Sequence, residues 1–114
     1  MGIFSEFNER RNNGNKKILD QNFLPYKRFM NLDTNAYGEG AISSKNKELM
    51  GLACSLLLRC NDCVLYHLQT CAEIGATKEE INEAMNVSLV IGGSIVIPHL
   101  RFALEALEEL ELNQ

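Results

Sequence analysis

The sequence predicts an all-α fold, a helical bundle of five to seven helices. Three observations carry that expectation. No segment alternates apolar and polar residues with period two. Apolar residues recur at three- and four-residue intervals in several separate stretches. Thr77-Lys78-Glu79-Glu80 is a T-x-x-E capping box, followed at once by Ile81, Ala84, Met85, Ser88 and Leu89. Composition agrees: 46% of the 114 residues are hydrophobic, with only 8 Gly and 2 Pro, too few turn residues for a β-sandwich. The length suits one domain, residues 1–114, with its own core.

The elements follow in order. Phe4 to Leu19 is polar with sparse apolar positions, and its Asn12-Asn13-Gly14-Asn15 cluster is poor helix material. A frayed or interrupted helix is expected there, or an arm (residues 1–20) that orders on a partner subunit. From Asn22 to Gly40, Phe23, Tyr26, Phe29 or Met30, Asp33 and Tyr37 advance by threes and fours. Pro25 falls early, where a first turn tolerates it, and Gly38 and Gly40 end the helix. Ser43 or Ser44 caps the next helix, Lys45 to Leu58, whose stripe is Leu49, Leu52, Ala53, Leu56 and Leu57. Arg59-Cys60-Asn61-Asp62 interrupts it, because Asn and Asp side chains bond nearby backbone and favour caps and turns. A new helix runs from about Asn61 to Ile74, with Gly75 at its C′ position. Gly92-Gly93 breaks or kinks the capping-box helix. The last helix runs from Ser94 or Ile97 to Leu110, with Pro98 in its first turn or at a kink.

Charge and composition exclude some functions. The net charge is −4, which argues against nucleic acid. The basic residues Arg10, Arg11, Lys16, Lys17, Lys27 and Arg28 read as a solvated face, as do Glu105, Glu108, Glu109 and Glu111. No signal peptide opens the chain. The longest apolar run, Val87 to Ile97, falls short of a membrane span, so no membrane partner is expected. A cytoplasmic home follows by default. Thiols are reduced there, so four cysteines do not suggest a disulfide framework.

Cys60-Asn61-Asp62-Cys63 is a CxxC pair, with His67 one turn past Cys63. On a helix these three groups share a face, giving two thiols and a proton shuttle. At a helix start the dipole and Arg59 favour a thiolate, and this reasoning makes Cys60 the more acidic thiol. Glu48 lies twelve residues before Cys60, about 18 Å along a straight helix. If the chain reverses near Arg59 and Cys60, Glu48 and His67 come level within about 4.5 Å at 1.5 Å per residue. The spacing therefore predicts a helical hairpin enclosing a Glu–His–Cys relay. Two other readings stay open: a zinc site using Cys60, Cys63 and His67 with Cys54, Cys71 or Glu48, and two buried thiols beside a core histidine. Cys54 and Cys71 read as buried thiols, Cys71 being the better spare ligand or oxidation partner. His99 reads as a helix-start or surface histidine, and Met50 and Met85 as core.

These motifs resemble the carboxymuconolactone decarboxylase family, in its AhpD-like alkylhydroperoxidase branch. Glu48, Cys60, Cys63 and His67 match that branch's E-x11-C-x2-C-x3-H pattern with every interval kept. Gly75 to Ala84 (GATKEEINEA) and Gly92-Gly93 before an apolar helix are also similar, and the match covers roughly Phe29 to Leu110. The resemblance implies an AhpD-like bundle around a central helical hairpin, and a homo-oligomer, commonly a trimer or hexamer. It implies a dithiol–disulfide cycle that reduces peroxides or a partner thiol protein, with no cofactor or metal. Carried over, Cys63 attacks, Cys60 resolves, and His67 with Glu48 moves the proton. A carboxymuconolactone-type decarboxylase and a non-catalytic zinc-binding or assembly module are the alternatives. Two departures stand out. Better-known members have a histidine directly before the second cysteine, where this chain has Asp62, whose charge disfavours a neighbouring thiolate. The chain is also shorter than two-repeat members.

Overall fold

The computed structural model describes residues 2–110. Among them there are six α-helices, one short 3-10 turn and no strand. The helices are α1 (Ile3–Asp20), α2 (Leu24–Ala36), α3 (Ser44–Leu57), α4 (Asn61–Glu73), α5 (Lys78–Gly92) and α6 (Ile97–Leu107), with the turn Gly93–Val96 between the last two. The expected Glu111 of the C-terminal acidic face lies outside the described residues.

The central pair is α3 and α4, with α5 packed on α3, α6 on α4, and α1 crossing α4. Leu52 and Leu56 of α3, Val64 and Leu68 of α4, and Ile81 and Met85 of α5 are almost fully buried where these helices meet. Each such side chain contributes about 1.5–3 kcal/mol by leaving water. Val96, Ala103 and Ala106 close the core from the 3-10 turn and α6.

Local chemistry sets the boundaries. The Ser43 hydroxyl accepts from the Asn46 N–H at the start of α3. Thr77 and Glu80 form the reciprocal capping box of α5, and Lys45 adds an ion pair to Glu80 at 2.9 Å. Gly75, at φ +92°, ends α4 with the Gly75 and Ala76 N–H groups bonded back to Ala72 and Cys71. The α3–α4 turn uses the same motif, with Arg59 and Cys60 bonded back to Leu56 and Ser55. Here the left-handed position is held by Arg59, at φ +59°, rather than by glycine.

The structure differs from the sequence expectation in four places. First, α1 runs unbroken through Asn12–Asn15. Phe4 and Phe7 anchor it in the core, Asn8 pairs reciprocally with Gln69, and Glu109 bonds the free N–H groups of Ile3 and Phe4. These tertiary ties outweigh the ~1 kcal/mol propensity cost of Gly14. Second, Glu109 therefore caps a helix instead of only facing solvent. Third, Met50 and Cys54 are exposed, whereas Met85 is buried as expected. Each lies two residues from Leu52, about 200° around the helix from that core position. Fourth, helical structure continues from Lys78 through Leu107, 30 residues that include an 18-residue window of mean hydropathy 1.7, long and apolar enough to cross a membrane by length and composition. As expected of the glycine pair, regular α-helix ends at Gly92, and the 3-10 turn Gly93–Val96 carries the chain into the last helix. Gly93, at φ +75°, and Pro98 interrupt regular α-helix within it.

Candidate active site

Three consecutive turns of α3 place Glu48, Gly51 and Ser55 on the side facing α4. His67 of α4 meets this row. Its Nδ1 lies 2.8 Å from Glu48 Oε1, and both residues are buried, at 8% and 5% exposure. A carboxylate only accepts, so Nδ1 carries a proton, and in the neutral ring Nε2 presents a lone pair. Gly51 makes the approach possible. A Cβ there would sit 2.6 Å from Cε1 of His67 and within 2.9 Å of both ring nitrogens. Sequence reading passed over Gly51, although a lone glycine inside a helix is itself a sign of close approach.

The cysteines sit at the mouth of this arrangement. Cys60 is the N-cap of α4, and its Sγ accepts from the Cys63 N–H at 3.3 Å. The two sulfurs are at bonding distance, with Cα atoms 5.3 Å apart, inside the normal disulfide range. Cys60 is half-buried and Cys63 is exposed. Cys63 and His67 together line two clefts. One, of about 450 Å³, lies under α1 and includes Phe7, Arg10, Asp33, Asp62 and Tyr66. The other, of about 510 Å³, lies between α2 and α3 and includes Tyr37, Ile42, Met50, Cys54 and Leu58.

Three further side chains come from outside the hairpin. Arg10 of α1 binds Asp62 at 2.7 Å, so a cation offsets the charge next to Cys63. Arg11 stacks over the Tyr66 ring at 4.4 Å. These two arginines, read from sequence as solvated, thus frame the cleft under α1. Tyr37, the C-cap of α2, brings its hydroxyl to 3.5 Å from Nε2 of His67. Burial and the nearby Asp33 and Glu48 charges raise the Tyr37 hydroxyl above its ordinary pKa, so it stays a proton donor. Tyr66 meets the His67 ring edge-on from the other side, at a centroid distance of 5.2 Å.

The remaining candidates fall away from this cluster. Cys71 is buried in the core, and burial pushes its thiol up to about 12, which makes it unreactive. His99, in the first turn of α6, pairs through Nδ1 with Asn61 Oδ1 at 2.8 Å and helps hold the start of α4. Among the described residues, no three His, Cys, Asp or Glu donors are grouped to hold a metal ion. Of the ligands considered for zinc, Cys60 and Cys63 are bonded to each other, Glu48 is engaged with His67, and Cys71 is buried in the core.

Comparison with known proteins places this arrangement. The model of the carboxymuconolactone decarboxylase family matches residues 25–109. The crystal structure of TM1620 from Thermotoga maritima is 53% identical, with a TM-score of 0.89 over 92% of each chain. That of apo-lpg0406, a carboxymuconolactone decarboxylase family protein from Legionella pneumophila, is 29% identical, with a TM-score of 0.87 over 94% of this chain and 96% of that one. The alkyl hydroperoxide reductase AhpD of Corynebacterium kroppenstedtii is 36% identical over 64 residues, 56% of this chain. The chain spans only 37% of the length of that relative. Sequence motif, helical architecture and comparison agree: the chain belongs to the carboxymuconolactone decarboxylase family.

Proposed function

We propose that this protein is a CxxC thiol-dependent oxidoreductase that reduces peroxides, or the disulfide of a partner protein, through a Cys60–Cys63 cycle. The observation that carries this reading is the buried Glu48–His67 pair beside a cysteine that opens onto two clefts. In the dithiol form, Nε2 of His67 takes the proton from Cys63, and Glu48 stabilises the resulting imidazolium. The Cys63 thiolate attacks one peroxide oxygen and the O–O bond breaks. Cys63 becomes a sulfenic acid, and the alkoxide leaves with the proton from His67. The Cys60 thiol then attacks the sulfenic sulfur, closing the disulfide and releasing water. A dithiol donor returns two electrons and two protons.

Exposure favours Cys63 over Cys60 as the attacking thiol, since Cys63 alone of the pair lines the clefts. This reverses the assignment that helix-end electrostatics alone would give. The relatives called alkyl hydroperoxide reductase AhpD support the peroxide reading at the level of the family. The test is peroxide consumption driven by dithiothreitol. It should be abolished by Cys63→Ser and by Cys60→Ser, while Cys54→Ser leaves it intact. No turnover with hydrogen peroxide or any alkyl hydroperoxide would remove the peroxidase reading. Exchange with a dithiol protein would then be the remaining form of the cycle.

The same reading includes self-association and a cytoplasmic setting. Val90 and Ile91 of α5, Ile95, and Leu58 at the hairpin turn are exposed, as are Phe29 and Leu32 of α2. Copies of the chain covering these residues, in a trimer or hexamer, would remove that apolar surface from water. Light scattering that finds a folded monomer at micromolar concentration would contradict this.

A further inference from the structure

We infer that Tyr37 is a positioning residue for the thiol chemistry: its hydroxyl holds Nε2 of His67 while the cysteines are bonded, and yields that nitrogen to the Cys63 thiol on reduction. The inference rests on the dithiol–disulfide reading of the site. Its geometry is independent of which substrate the site takes. With Nδ1 committed to Glu48, Nε2 is the only ring nitrogen left to exchange a proton. In the disulfide form Cys63 has no thiol proton to offer. The donor found at Nε2 is Tyr37, at 3.5 Å, with the two rings tilted at a centroid separation of 5.3 Å. That reach is long for a neutral hydrogen bond, which suits a contact that must be released.

A phenol suits both states of the histidine. When Nε2 is unprotonated, the hydroxyl donates to it. When His67 has taken a proton from Cys63, the same oxygen can accept from Nε2–H after rotating one bond. The chain also fixes where the phenol sits. Lys47 Nζ donates to the Gly38 carbonyl at 2.8 Å, and the Ser44 N–H donates to Glu39 at 3.1 Å, so the segment after Tyr37 is tied to the start of α3. No residue of α2 itself is buried, so these ties matter to Tyr37. The ionisable groups around the phenol are Asp33 on its own helix, Glu48 and Cys54 on α3, and Tyr66 and His67 on α4.

The test compares Tyr37→Phe with Tyr37→Leu and uses no peroxide. Nitrogen NMR of the oxidised wild type should show His67 as the Nδ1–H tautomer with a hydrogen-bonded Nε2. In Tyr37→Phe, Nε2 should move toward the position of an unbonded imine nitrogen. In the reduced protein, Tyr37→Phe should alkylate Cys63 about 3- to 10-fold more slowly at neutral pH, the loss of one long hydrogen bond from the imidazolium. Its pH profile should shift upward, because the imidazolium has lost an acceptor. If the ring only fills space, Phe will match wild type and only Leu will be impaired, and the inference fails. Should the variants not fold, wild type alone decides: an Nε2 resonance that does not move between disulfide and dithiol forms also overturns it. Because neither readout needs turnover, a protein that fails as a peroxidase could still pass this test.

Discussion

Gly51→Ala adds one methyl group to the most crowded point of the site. The new Cβ would lie 2.6 Å from Cε1 of His67, where ordinary contact begins at 3.4 Å. The ring or the helix must therefore open by about 0.8 Å. The 2.8 Å bond to Glu48 stretches or tilts with the ring. In stability, alanine in a helix interior gains ~0.5–1 kcal/mol over glycine, while overpacking costs ~1–3 kcal/mol. The net is a loss of ~1 kcal/mol, or a fall of ~4–8 °C in Tm for a domain of about this size. The effect on chemistry should be larger. A misplacement near 1 Å costs on the order of 10²-fold when a catalytic group must meet a reacting atom. The assay is Cys63 alkylation and dithiothreitol-driven peroxide consumption, read beside circular dichroism and a thermal melt. Gly14→Ala is the control, because a Cβ there meets nothing within 4 Å and should stabilise α1 by ~0.5–1 kcal/mol without changing rate. If Gly51→Ala also gains stability and keeps the wild-type rate, the ring does not lie where this reasoning puts it.

Glu48→Gln keeps an oxygen that can accept from Nδ1–H, so helix content and assembly should not change. Cys63 alkylation at neutral pH should slow, by up to the ~10²–10⁴-fold attached to general-base help. Removing a negative charge should by itself make a nearby thiol more reactive, so faster alkylation would show that Glu48 is a bystander charge. Arg59→Gly should raise stability by up to ~1 kcal/mol, because arginine carries the left-handed strain at φ +59° that glycine does not. Arg59→Ala retains that strain, and an equal gain from both variants would refute the explanation. Cys71 should resist alkylation in the folded protein. Its folded pKa is raised from 9.0 to about 12, so the stability it contributes is full below pH 9.0 and is lost as the pH rises toward 12. Cys71→Ala should lessen the alkaline decline in Tm, and an unchanged slope would count against that cause.

Much of the fold was legible because local chemistry fixes it. Ser43, Gly75, Thr77 and Gly93 each act within one turn of chain, and each marks a boundary in the structure. The Glu48–His67 contact was legible for a different reason. Both residues lie on one hairpin, so counting rise per residue from the reversal at Arg59 brings them level. What counting cannot supply is a group from another segment. Tyr37 at the end of α2 and Arg10 of α1 reach His67 and Asp62 through tertiary packing alone. Polar and weakly helical sequence likewise hid α1, whose continuity depends on Phe4 and Phe7 reaching the core and on Gln69 and Glu109 from distant elements. Cys54 follows Ala53 on an apolar helix, which by itself suggests a buried thiol, and Met50 on the same helix suggests core. Their side of the helix instead borders the cleft containing Tyr37.

The most direct test of the dithiol cycle is mass mapping of all four cysteines after the reduced protein meets one equivalent of peroxide. Two thiols should disappear, a single Cys60–Cys63 disulfide should account for both, Cys54 and Cys71 should remain free, and dithiothreitol should restore the starting count. A bridge to Cys54 or Cys71, or four thiols that survive the peroxide, would contradict the account.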